Sequence, residues 1–331
     1  MKLWIAITAV IVAGVTALAL QRHSQLTVVK SIDLNRNTSV VVEQDRVWYH
    51  ESPQLVSIDL ARPNLEPEAV GDLDVEGYAN VAAVDGKTLL LSHSSGINVY
   101  SLRDPLPPAL ISTFTPPGNR PGTFAFRNGL VVTDGYVADS QVLHIYDLSS
   151  LEQPELKATI AMSRGANIHD IAVSNRLILV ANGYAGLTIL KQANGEGFQH
   201  VGKLAFPAHV RGVVAIGDRA YIAASAAPGM NSQFTIVDIS DPTLPRVIAS
   251  VETPGGAQDV FMRANRAFVA DRDQGIMTID VSDEVHPRVI DRYKPSDGRI
   301  MNIYGSEDYL VFPLEVGARL RSLQLARLDA D

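Results

Sequence analysis

The stretch FTIVDISDPTLPRVIAS, residues 234–250, is restated further along the chain as GIMTIDVSDEVHPRVID, residues 275–291. A catalytic loop is written once, whereas a structural unit that cannot bury its own apolar face is stacked against copies of itself. The first question is therefore how often the unit recurs. With the IVD triplet as a ruler, its third position falls at Asp59, Ser101, Asp147, Lys191, Asp238, Asp280 and Gln324, in steps of 42 to 47 residues. A period of that size is the length of a four-stranded propeller blade.

Within a unit the pattern reads as four short strands. In the sixth they are AQDVFMR, RAFVADR, GIMTIDV and RVIDRYK, rich in β-branched and aromatic residues and separated by turn formers. Pro-rich punctuation after the third strand (DPTLP, DEVHP, DPLPP, SLEQP, ARPNLEP) parts the last two strands with residues that cannot donate to a ladder. No long helix is expected between Ser39 and Ala326. The seventh unit offers IMNIYGS, YLVFPLE and RLRSLQLA and then lacks a fourth strand. Gln25 to Leu34, QLTVVKSIDL, precedes the first unit and resembles RVIASVE and ALISTFT. It is expected to close the ring by pairing with the C-terminal strands, which removes an exposed sheet edge. The expectation is an all-β, seven-bladed propeller over residues 25–331. Units one, four and seven are the least regular, so six blades, eight blades and an open sandwich repeat stay open as alternatives.

The units around FTIVDISDPTLPRV and GIMTIDVSDEVHPRV, each beside a YIAAS- or FVADR-type strand, resemble the LVIVD-repeat family of bacterial β-propellers. The likeness is close over residues 219–303 and diluted elsewhere: Gln192 stands where a Val is expected after the fourth triplet, and the seventh unit lacks the Asp-Pro turn. The resemblance implies a secreted or surface propeller from a family whose members mostly lack an assigned activity.

Residues 1–24 are of another kind. Lys2 precedes an apolar run from Leu3 to Leu20 broken only by Thr8, Gly14 and Thr16. As a hydrophobic helix, eighteen residues at about 1.5 Å each cover roughly 27 Å, close to a bilayer's hydrocarbon thickness. Ala17-Leu18-Ala19 has the small-x-small spacing that a signal peptidase reads. A single-pass anchor and a cleaved signal peptide both satisfy the segment. Either places the body outside the cytoplasm, in the periplasm or beyond, with the inner membrane reached through residues 3–20 if they are retained.

Composition narrows the function classes. The 331 residues are 46% hydrophobic and 19% charged, with 28 Lys plus Arg against 36 Asp plus Glu, a net charge of -8. No basic run interleaves with aromatics, so a nucleic-acid groove is not expected. The absence of cysteine rules out disulfides, thiolate metal sites and a cysteine nucleophile. There is no GxSxG elbow, HExxH or Walker loop, and with only Trp4 and Trp48 a quinone-docking propeller is not expected. No cofactor is called for.

Candidate site residues come from aligning the first strand of each unit on Val40, Val81, Phe124, Ile171, Val213, Val260 and Ile303. The preceding position holds Ser39, Asn80, Thr123, Asp170, Gly212, Asp259 and Asn302, nearly all polar. One position earlier stand His169, Arg211 and Gln258, with His209 nearby. His169, Asp170, Arg211 and Asp259 should therefore share one sector of the channel mouth. Two expectations compete: His169 and Asp170 handle protons while Arg211 holds a carboxylate or phosphate, or these polar groups cap channel strands and tie blade to blade. A second ring is expected at the ends of the second strands, from Glu51, His93, Asp134, Asn182, Ser225 and Asp271. Asp271 and Asp273, alternating before Gly275, are weak candidates for a hard-cation site; Asp-rich turns without metal are commoner. The triplet aspartates Asp59, Asp147, Asp238 and Asp280 are read as turn formers. Two Pro/Gly-rich excursions, residues 113–124 and 224–234, are candidate partner loops. The function expected is a protein-interaction or scaffolding module of the bacterial cell envelope with a protein partner. The alternative is a hydrolase or lyase for a small anionic or sugar substrate at the channel mouth.

Overall fold

The computed structural model describes residues 26–34, 39–73, 75, 79–102, 108–118, 122–163, 165–174, 177–193, 197–226, 231–317 and 319–328. The expected N-terminal helix and the 1–24 boundary lie outside them. No helix among the described residues is long and apolar enough to cross a membrane.

The repeat folds as seven antiparallel sheets of the described residues, six of them simple four-stranded meanders. Blade five is typical, with His209–Ile216, Arg219–Ser225, Ser232–Asp238 and Arg246–Thr253 running outward from the axis. The innermost strands touch in succession around a ring, which closes where Tyr304–Gly305 of blade seven meets Val40–Glu43 of blade one. That closure excludes the open sandwich and fixes the count at seven. The missing outer strand of blade seven is Thr27–Asp33, antiparallel to Arg319–Arg327 with Thr27 opposite Arg327 and Asp33 opposite Ser322.

The triplet that marked the period is the third strand, and its burial explains its composition. Phe234, Thr235, Ile236 and Val237 are all fully buried, because a blade is covered on both faces by its neighbours. Phe234 and Ile236 pack toward blade six with Val260, Val269 and Ile279, while Val237 packs toward blade four with Leu179 and Ile189. Seven such apolar clusters fill the seven interfaces between blades, so the core is an annulus around the channel. Each large aliphatic side chain buried there contributes about 1.5–3 kcal/mol. The one polar member, Thr235, is satisfied by Ser250 Oγ at 3.0 Å.

The aspartate after each apolar triplet ends the strand as expected. Asp59, Asp147, Asp238 and Asp280 each accept, through Oδ1, the amide of the residue two further on, at 3.0, 2.8, 2.9 and 2.9 Å. The carboxyls of Asp238 and Asp280 are held below the usual range by these amides and then by the same serines' hydroxyls, and that of Asp147 first by the Ser149 hydroxyl and then by its amide.

Every outer strand also carries a one-residue bulge at an equivalent place. The residues left without an opposite number are Val29, Val70, Ile111, Lys157, Val201, Ile248 and Ile290. A bulge bends and twists an edge strand, which makes it a poor template for pairing with another chain.

Candidate binding site at the channel mouth

One face of the ring carries the turns between second and third strands and the segments that lead into each inner strand. His169, Asp170, Arg211 and Asp259 all come to this face, in blades four to six, as the strand alignment expects. They form two groups, the carboxylates bonded to main-chain amides and His169 in contact with Arg211. Asp170 Oδ1 accepts the amide of Ile171 at 2.8 Å, and its Oδ2 accepts the amide of Val213, in the inner strand of blade five, at 2.8 Å. Asp259 repeats the clasp two blades on: Oδ1 accepts from Val260 at 2.8 Å and Oδ2 from Ile303 of blade seven at 3.0 Å, with Asn302 adding a side-chain bond. Blade five, between them, has Gly212 here because a Cβ would lie 2.9 Å from Asp259 Cα.

These carboxylates line the channel and are part-exposed, yet the blades crowd them on every side. Burial raises both carboxyls above the ordinary aspartate range, and the charge of Asp170 raises Asp259 further. Burial and the two carboxylates together push the Tyr304 phenol up.

His169 does not bond Asp170. Its Nδ1 faces Arg211 Nη1 at 3.4 Å, and its ring packs at 4.6 Å, tilted 59°, on His209. The Tyr184 ring then meets His209 edge-on at 4.4 Å and is 71% exposed. Burial, then the charge of Arg211, then His209 push His169 down to about 4; burial and Arg211 lower His209 as well. Both shifts favour the neutral imidazole. Burial lowers Arg211, and the charge of Arg272 lowers it further, which brings a second guanidinium into the cluster.

Local structure explains these placements. Arg211 is the extra residue of a bulge: Val210 pairs with Ala224 and Gly212 with Ala223, so Arg211 has no opposite number. A bulge re-aims a side chain as it bends its strand locally. Arg272 sits second in the tight turn Asp271 to Gly275, closed by Asp271 N to Gly275 O at 2.8 Å. The matching turn of blade four, Asn182 to Gly186, is closed the same way at 2.9 Å. Both second positions are left-handed, φ 54° at Gly183 and 51° at Arg272.

The second ring is present and committed to loop support. Asp134 Oδ1 accepts the amides of Gly122 and Thr123 at 2.7 and 2.8 Å, and Asn182 Oδ1 that of Asn167 at 3.0 Å. Both oxygens of Asp271 lie 3.1 Å from the Gly255 amide, while Asp273 is exposed at the turn. His93 bonds Asn98 at 3.0 Å, and Glu51 and Ser225 end their strands. Among the described residues no three His, Asp or Glu side chains gather as a metal would require. The excursion at residues 113–124 is partly tied inward, with Pro117 O bonded to buried His144 Nε2 at 3.0 Å; residues 119–121 of it, and 227–230 of the other, lie outside the described residues.

Sequence reasoning missed Arg272 and Tyr184. A signal exists in the aligned turns NGYAG and DRDQG, where one repeat has Gly and the other Arg. Two clefts, of about 450 and 440 Å³, open on the opposite face, one beside Arg127 and Phe198 and one beside Arg263 and Glu307. Neither touches this cluster.

The LVIVD repeat model matches residues 207–253 and 254–294, blades five and six. No curated protein matches the sequence. Solved propellers match by shape. A chain in the crystal structure of the mitotic checkpoint complex is similar at TM-score 0.71 and 11% identity, covering 94% of this chain and 94% of that one. The WD40 β-propeller domain of Doa1 is similar at TM-score 0.68 and 11% identity, covering 92% and 98%. The WD40 repeats of RRP9 are similar at TM-score 0.65 and 12% identity, covering 92% and 100%. At such identities the likeness concerns fold alone. The chain is thus a seven-bladed β-propeller whose fifth and sixth blades are LVIVD repeats.

Proposed function

We propose that the protein is a recognition module of the bacterial cell envelope that docks a protein partner on the channel-mouth face, where Tyr184 stands exposed over His209, His169 and Arg211. The observation that carries this reading is the fate of the carboxylates. Asp170, Asp259, Asp134 and Asp271 are spent on main-chain amides, while Tyr184 is left facing solvent over His209 beside the part-buried Arg211. Amphipathic aromatics and arginines of this kind dominate protein contacts. An apolar N-terminal segment and LVIVD repeats support the envelope as the setting. Full-length protein recovered from membranes under mild crosslinking should bring down one partner in constant ratio, and Tyr184→Ala should lower the yield. Equal recovery with Tyr184→Ala would remove this face from the account.

One observation favours a hydrolase or lyase: buried Asp170 and Asp259 hold protons to higher pH than free carboxyls, as a general acid must. In that case His169→Ala or Arg211→Ala abolishes turnover of a small anionic or sugar substrate while folding is kept. Unchanged turnover in both variants would sink that alternative.

A further inference from the structure

The mouth cluster has a chemistry of its own. Arg211 and Arg272 feel each other's charge, and neither forms an ion pair among the described residues. The Nε of each is buried without a hydrogen-bond partner among the described residues, as are His169 Nε2 and His209 Nδ1. His209 is itself only 7% exposed. Buried polar atoms are nearly always hydrogen-bonded in folded proteins, so four such atoms in one cluster mark a place built for something else to bind.

The backbone points the same way. Arg272 holds a left-handed conformation that costs a side chain free energy and that blade four gives to glycine. Gly256 keeps space beneath it, since a Cβ there would lie 3.3 Å from Arg272 Cδ. On the other side Gly183 admits the His209 ring, whose Nε2 would lie 2.9 Å from a Cβ. Guanidinium forks match planar oxyanions in two-point contact.

We propose that Arg211 and Arg272, flanked by His169, His209 and Tyr184, form a seat for a carboxylate carried by an acidic segment of the protein partner. The seat names the chemistry of the contact face described above and rests on that reading. The guanidiniums hold the carboxylate oxygens, the two neutral imidazoles offer further hydrogen bonds, and Tyr184 packs on the chain that carries the group.

The test uses full-length protein in detergent with the imidazole resonances of His169 and His209 assigned by single substitutions. The probes are a glutamate-rich peptide and, separately, inorganic phosphate. The peptide should shift both imidazoles, with affinity falling about tenfold or more in Arg272→Gly and in Arg211→Gln and weakening with salt. Arg272→Gly suits its backbone conformation, so its melting temperature should equal or exceed that of the parent and lost binding cannot be blamed on unfolding. Undiminished peptide affinity in both variants, or shifts produced by phosphate and not by the peptide, would overturn the proposal. Partner recovery unaffected by Arg272→Gly would overturn the seat and leave the recognition face standing. Peptide binding without any envelope partner would support the seat and overturn that face.

Discussion

Asp170 and Asp259 show how a single side chain joins the ring. Each uses one oxygen within its own blade and the other on the next blade, from four to five and from six to seven. An asparagine offers one acceptor in place of two. Asp170→Asn should therefore cost about 1–3 kcal/mol in urea unfolding, and an unchanged midpoint would show that the clasp is idle. His169 gives a pH signature. Its folded pKa is about 4 against an ordinary 6.5, so between these values the unfolded chain takes up a proton that the folded chain does not. Its contribution is complete above that window and is lost as pH falls through it, so stability rises with pH across it. Burial of Asp170 and Asp259 acts with the opposite sign, and subtracting a His169→Gln curve isolates the histidine. The difference should slope between about pH 4 and 6.5 and be flat above; a flat difference throughout would mean that the imidazole is not buried as described. At this scale the sequence was legible where chemistry repeats. Aligned first strands pointed to Asp170 and Asp259 and raised their tying role as one of two readings. Arg272 was not legible, because its importance depends on which turns meet across blade five, and no residue in that turn reports its neighbour in the next blade.

The strands were read from two signals, an apolar triplet and a Pro-rich turn, and both have a physical basis in the fold. A third strand covered on both faces must be apolar throughout, and a turn before an edge strand tolerates residues that cannot donate. The bulge in every outer strand left no such mark, since one additional residue changes neither composition nor propensity. Its effect is on register. Ile290, the bulged residue of blade six, is 39% exposed, so Ile290→Thr should alter stability by no more than about 0.5 kcal/mol. Deleting Ile290 removes the bulge, puts Val289 and Asp291 in consecutive pairs with Ile279 and Thr278, and takes away the bend that protects this edge strand. The deletion should lower the unfolding midpoint far more than the substitution and promote association visible by size-exclusion chromatography. Equal behaviour of the two would show that the bulge has no structural role.

The whole molecule is a ring whose first and last described strands share one sheet, so the two ends of the propeller are pinned together while its two faces stay independent. The opposite face carries the strand-ending aspartates and the Pro-rich turns, whose polar groups are largely satisfied locally. The mouth face gathers the unmatched groups of three successive blades, two of them LVIVD repeats. This asymmetry is the basis for assigning recognition to one face. The direct measurement is site-specific photocrosslinking in the native envelope, with a photoreactive residue in place of Tyr184 on the mouth face or Asp45 on the opposite face. A discrete adduct from position 184, lost on Arg272→Gly, with none from position 45, is the predicted result. An adduct from position 45 alone would contradict the account.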